Sequence, residues 1–135
     1  LTTVTNISDT PKHRFVGVDS GFNHLVRPTM YGSYHKILNA SRNFGVEEDV
    51  VVVGYICESG DIFSRTDEKI KRRLTTPKIG ERLAFLDAGA YGISMSSQYN
   101  LRPRPAEVLV HNGQSRLIRR AETFEDLTQC FVDFD

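Results

Sequence analysis

The longest apolar run in this chain, Val50-Val51-Val52-Val53-Gly54-Tyr55-Ile56, is only as long as one strand, and no other feature restricts the fold as much. A short run rich in valine suits a strand buried on both faces and is too brief to define a helix by periodicity. It also falls far short of the roughly 20 apolar residues that a membrane-spanning helix needs, so no membrane is expected as a partner.

The rest of the chain repeats this theme. Residues 1–7 and 13–19 are β-rich runs parted by Ser8-Asp9-Thr10-Pro11, a turn cluster whose proline cannot continue a central strand. Residues 82–88 make another short strand. The clearest local signal is Asn112-Gly113, flanked by strands over residues 107–111 and 114–119. That dipeptide tolerates positive φ and predicts a type I′ hairpin. After it, Thr123-Phe124-Glu125-Asp126 resembles a capping box with Asp where Glu or Gln is usual, and predicts a short helix carrying Leu127 and Cys130. Residues 64–78 are polar and include Asp67-Glu68-Lys69-Ile70-Lys71-Arg72-Arg73. A basic run can meet phosphates, but two acids adjoin this one and no aromatic interleaves, so a solvated surface loop is expected. At least six short strands with turns between them predict an all-β sandwich or barrel. Neither a phosphate-cradling glycine loop nor βαβ alternation is present.

Charge and cysteine content narrow the partners. The 135 residues suit a single domain, and Lys+Arg balance Asp+Glu at 17 each, so no nucleic acid is expected as a ligand. With 39% apolar and 25% charged residues, the chain has the profile of an ordinary soluble protein. Cys57 and Cys130 are too few for a disulfide framework, and a reduced, cytoplasmic setting is expected. Cys130 reads as an inert buried thiol. The four histidines, His13, His24, His35 and His111, lack ligand spacing, so no metal site is expected. The sequons at Asn6 and Asn39 read as chance occurrences. The opening Leu1-Thr2-Thr3-Val4 lacks the marks of an export signal and reads as the first strand of a piece cut from something longer.

Three segments carry a resemblance. The first runs Val18-Asp19-Ser20-Gly21-Phe22-Asn23-His24-Leu25-Val26-Arg27-Pro28-Thr29-Met30-Tyr31, followed by Tyr34-His35. The second is Gly54-Tyr55-Ile56-Cys57-Glu58-Ser59-Gly60-Asp61. The third runs Asp87-Ala88-Gly89-Ala90-Tyr91-Gly92-Ile93-Ser94-Met95-Ser96-Ser97-Gln98-Tyr99-Asn100 and continues into Arg102-Pro103-Arg104-Pro105. In order and spacing they resemble the C-terminal β-domain of the diaminopimelate decarboxylases, lyases of lysine biosynthesis. The resemblance covers nearly the whole chain. It implies a Greek-key β-barrel or sandwich, a pyridoxal 5′-phosphate cofactor, and an N-terminal (β/α)8 barrel that is absent from residues 1–135. That barrel supplies the Schiff-base lysine in the family. The five lysines here, Lys12, Lys36, Lys69, Lys71 and Lys78, lie outside any such motif, so the chain alone is expected to be inactive.

The substrate the resemblance implies, meso-diaminopimelate, has an ammonium and a carboxylate at each end. A site that decarboxylates one end must hold the other through both charges. Arg27 is the candidate cation, because a guanidinium fork binds a carboxylate through two parallel hydrogen bonds. Tyr31 matches the family's companion donor. The blander alternative for Arg27 is a surface ion pair worth about 0–1 kcal/mol. Glu58 is the candidate anion for the distal ammonium, against a solvated strand-end carboxylate. Cys57 matches the family's proton donor to Cα, a role that suits a thiol with its reference pKa of about 8.5; the alternative is inert burial. Tyr91 matches the tyrosine that reaches both cofactor and substrate, with Gly89 and Gly92 allowing close approach, against an ordinary core aromatic. Tyr99 and Asn100 read as packing and turn residues. Asp19, Asp61 and Asp87 read as loop anchors.

The family's active sites form between the subunits of a homodimer. The resemblance therefore puts Cys57 and Glu58 in the neighbour's site and Tyr91 in its own subunit's site. The 19–31 segment also leaves room for an aspartate kinase fused upstream. Two other readings stand beside this one: a β-sandwich that binds or dimerises without catalysis, and a decarboxylase acting on another basic amino acid.

Overall fold

Among the described residues the chain forms eight strands and two short α-helices. They are β1 (Thr2–Asp9), β2 (Arg14–Val18), α1 (Arg27–Tyr31), β3 (Ile37–Asn39), β4 (Glu47–Val53), β5 (Arg72–Thr75), β6 (Arg82–Phe85), β7 (Glu107–His111), β8 (Gln114–Arg119) and α2 (Phe124–Thr128). The structure is a computed structural model that describes residues 1–132. Leu1–Ser96 and the residues from Ser97 onward are two compact units.

The first unit holds a six-stranded sheet in the order β3-β6-β1-β2-β4-β5. All its pairings are antiparallel except β2 with β4, where Arg14 to Gly17 run alongside Val50 to Val53. The edge strands β3 and β5 approach each other, so the sheet nearly closes into a barrel. Its interior follows the period-two rule. Val16 and Val18 on β2, Val50 and Val52 on β4, and Leu83 on β6 are almost fully buried in one cluster with Val4 and Phe63. Val51 is also fully buried, yet it stands outside that cluster. The valine run is thus covered on both faces, as its composition predicted. The strand starts at Glu47 and stops at Val53, because the Gly54 amide turns to the Asp61 carbonyl at 3.0 Å.

One expectation fails here. Residues 64–78 are not a solvated loop throughout: Arg72–Thr75 is strand β5, with Arg72 and Leu74 buried. The Arg72 guanidinium lies 4.1 Å from the Tyr34 ring centroid and donates to the Ser64 carbonyl at 3.2 Å, so a basic residue occupies an inward position. Arginine is suited to this because its plane stacks on an aromatic face. At the other edge of the sheet, Glu81 accepts from Arg42 at 2.6 Å and from Asn39 at 2.7 Å, tying β3 to the turn before β6. The Arg42 hydrogen bond above all holds the Glu81 pKa down, to about 2.

The second unit carries the predicted hairpin. Asn112 and Gly113 both have positive φ, 51° and 73°, the combination a type I′ turn requires. Helix α2 opens with the expected reciprocal cap, the Asp126 carboxylate accepting from the Thr123 amide at 2.8 Å. Leu127 lies in the helix, but Cys130 falls beyond its end and is exposed. It is therefore no buried thiol, because the helix is too short to bring it onto the covered side.

Candidate functional site

Helix α1 is brief and firmly bounded at both ends. Pro28 enters at its start, where the missing amide would have no helical partner. Gly32 ends it at φ 59°, donating its amide to the Pro28 carbonyl at 3.1 Å. A Cβ there would overlap the Asp67 carboxylate, so the stop requires glycine on two counts. Within this turn Arg27 and Tyr31 are four residues apart and share one face. The Arg27 guanidinium lies 5.5 Å from the Tyr31 ring centroid and 5.3 Å from that of Tyr91. Its recorded hydrogen bond is a long one, 3.4 Å to Ser33 Oγ, and among the described residues no carboxylate is within ion-pair distance. A half-buried cation thus stands between two phenols that are 55% and 63% exposed. Tyr91 has φ 63°, an uncommon conformation for a residue with a Cβ.

The turn from Gly54 to Asp61 is held from beneath by Asp61, which is 3% exposed. Its two oxygens accept from the Phe22 amide at 2.7 Å and the Ile56 amide at 2.9 Å, joining this turn to the segment leading into α1. Burial pushes the Asp61 pKa up, and the two amides pull against it. His24 adds a second brace, its ring nitrogens 2.9 Å from Ser20 Oγ and 3.4 Å from the Tyr55 hydroxyl. Cys57 and Glu58 project at the exposed tip. Glu58 Oε1 accepts from the Gly60 amide at 3.1 Å and from Ser59 Oγ at 3.2 Å. Among the described residues Oε2 accepts no hydrogen bond.

Asp61→Ala is expected to destabilise the protein by about 2–4 kcal/mol, because two buried amides lose their acceptor. Since the folded pKa is raised, the carboxyl's stabilisation is fully present below its unfolded value and is lost as pH rises through the folded value. The deficit should therefore narrow with rising pH. Urea denaturation at several pH values measures this, and an unchanged midpoint would deny Asp61 its anchoring role.

The structure sets the Arg27 guanidinium against both the Tyr31 and the Tyr91 ring. It puts Cys57 and Glu58 on a neighbouring turn that reaches α1 through Thr29 and makes no hydrogen bond to Arg27, Tyr31 or Tyr91 among the described residues. Two of the blander alternatives fall away, since Tyr91 is not a core aromatic and Cys57 is not buried. Among the described residues Arg27 is in no ion pair. Asp19 anchors its loop as expected, accepting from Thr2 Oγ1 at 2.6 Å and the Thr3 amide at 2.7 Å. Asn100, with φ 57°, is a turn residue. Close approach holds at Gly92, where a Cβ would strike the Ala88 carbonyl, but not at Gly89, where a Cβ would meet nothing because that turn faces open space. Sequence reasoning gave no role to Thr29, whose partner Gly60 lies in another segment, or to His24, which joins Ser20 of its own segment to Tyr55 of another.

Residues 1–89 match the family model described as the pyridoxal-dependent decarboxylase C-terminal sheet domain. A diaminopimelate decarboxylase of Methanothermobacter thermautotrophicus is 52% identical over 128 residues, covering 94% of this chain and 28% of the relative. The crystal structure of a diaminopimelate decarboxylase from M. jannaschii superposes with a TM-score of 0.90 at 39% identity, over 98% of this chain and 29% of that one. A second M. jannaschii structure, a co-complex with L-lysine, gives a TM-score of 0.88 at 40% identity, over 98% of this chain and 29% of that one. This chain therefore spans less than a third of the length of these relatives.

Proposed function

This chain belongs to the pyridoxal-dependent decarboxylases as their C-terminal sheet domain, and from that premise we propose that residues 1–135 serve a diaminopimelate decarboxylase. The full polypeptide would convert meso-2,6-diaminopimelate to L-lysine and CO2 in the cytoplasm. An N-terminal barrel would carry the lysine that holds pyridoxal phosphate. The cofactor, when bound, supplies an electron sink for the bond that breaks at Cα.

The donor set suits that cofactor from one side. Tyr91 offers an exposed phenol beside Arg27, and among the described residues none of the five lysines hydrogen-bonds to Arg27, Tyr31 or Tyr91. Tyr91 would reach the cofactor and the substrate together. Arg27 would clamp the carboxylate at the end that does not react, with the Tyr31 hydroxyl as a further donor. Glu58 would hold the distal ammonium through Oε2, and the Cys57 thiol would deliver a proton to Cα.

The observation that carries this reading is that Arg27 has no carboxylate partner among the described residues. A guanidinium set against two tyrosine rings without such a partner is suited to a carboxylate that arrives with a ligand. The homodimer expected from the resemblance would bring Cys57 and Glu58 to the neighbour's Arg27 and Tyr91. The apolar hairpin offers surface for partners of this kind, since Val108, Val110, Leu117 and Ile118 are all more than half exposed. Supplied with pyridoxal phosphate, the full polypeptide is expected to release CO2 from meso-diaminopimelate and to form L-lysine. Turnover of ornithine or arginine instead, with diaminopimelate untouched, would replace this substrate with another basic amino acid.

A further inference from the structure

Thr29 stands in the middle of α1, between Arg27 and Tyr31. A threonine inside a helix commonly turns its hydroxyl back to the carbonyl four residues earlier. Thr29 Oγ1 instead donates to the carbonyl of Gly60, 31 residues on, at 2.7 Å. Gly60 in turn donates its amide to Glu58 Oε1 at 3.1 Å. A Cβ on Gly60 would lie 3.0 Å from Thr29 Cγ2 and 3.7 Å from Glu58 Oε1, so the turn packs closely against the helix.

We propose that Thr29 is a positioning residue that fixes the Glu58 carboxylate through Gly60, and so sets recognition of the substrate's distal ammonium. This rests on the decarboxylase reading above. The chain of contacts runs from α1 through Gly60 to the Glu58 carboxylate, which the dimer reading offers to the neighbour's site. Oε1 is held inside the turn, which leaves Oε2 to an outside donor. Without the Thr29 hydroxyl, Glu58 keeps its charge and loses its fixed direction. The cost then falls on binding of a doubly charged substrate rather than on the bond-breaking step.

The test uses the full polypeptide loaded with pyridoxal phosphate. Thr29→Val removes the hydroxyl at nearly constant volume, and Thr29→Ser restores it. Thr29→Val is expected to raise KM for meso-diaminopimelate about 3- to 10-fold, the range of one lost hydrogen bond, with kcat within about 2-fold and Tm little changed. Thr29→Ser should return KM to about the wild-type value. Hydrogen–deuterium exchange over residues 57–62 should quicken in Thr29→Val and not in Thr29→Ser. In a Glu58→Gln background the Thr29→Val penalty should shrink toward nothing, since the two residues act through one group. A wild-type KM in Thr29→Val, beside a damaging Glu58→Gln, overturns the Thr29 role and spares the decarboxylase reading. An undiminished penalty in the double variant also overturns it. A harmless Glu58→Gln sinks both.

Discussion

Cys57→Ala is expected to lower kcat of the full polypeptide by about 10²- to 10⁴-fold, the range over which a positioned proton donor contributes. KM for meso-diaminopimelate should hardly move, because a thiol carries no charge to match either end of the substrate. The fold should also be unaffected, since Cys57 is exposed at the tip of its turn and is bonded to no other cysteine. That turn is organised by groups other than the thiol: Asp61 beneath it, and the Glu58 amide donating to the Ile56 carbonyl at 2.8 Å. A lost proton donor has a second consequence besides slowness. Protonation at Cα would then come from water or from a less well placed group, so the hydrogen delivered in D2O should lose its fixed stereochemistry. Turnover in D2O followed by NMR of the lysine product reads both effects. Normal rate and a single configuration at the deuterated carbon, the former reacting Cα that becomes Cε of lysine, would dismiss the proton-donor role and leave Cys57 a surface thiol.

How far such roles were legible depended on whether the cause was local. Asn112-Gly113 fixes its hairpin by its own φ angles, and Thr123 with Asp126 closes a cap three residues wide; both could be read directly. The valine run could be read as a doubly buried strand from its short length and β-branched composition, and Val50, Val51 and Val52 have no exposed surface. Strand β5 hid because its inward positions are Arg72 and Leu74, and Arg72 is made tolerable by Tyr34 and Ser64, a contact that no alternation rule contains. Helix α1 went unread: Pro28 and Gly32 bound it in the structure, yet five residues give periodicity nothing to repeat. At the site, Arg27, Tyr31, Cys57, Glu58 and Tyr91 came from motif resemblance. The placement of Arg27 against two rings, and the link from Thr29 to Gly60, are products of packing and became visible only with the fold.

Glu58→Gln isolates charge from shape. Glutamine keeps an oxygen that can accept from the Gly60 amide and from Ser59 Oγ, so the turn should persist. What disappears is the negative charge offered at Oε2. A hydrogen bond to a charged group contributes about 1.5–3 kcal/mol, so kcat/KM for meso-diaminopimelate should fall about 10- to 10²-fold. Cofactor absorbance should be unchanged, since Glu58 is assigned to the substrate's far end and not to pyridoxal phosphate. The decisive comparison uses 2-aminopimelate, which has both carboxylates and lacks the distal ammonium. The wild-type protein should handle it poorly, and Glu58→Gln should process it no worse than wild type. Loss of turnover on both substrates alike would mean that glutamine had disturbed the turn or the subunit contact. Full activity of Glu58→Gln on diaminopimelate would leave the far ammonium without its partner in this chain, and with it would go the physical basis for preferring this substrate over other basic amino acids.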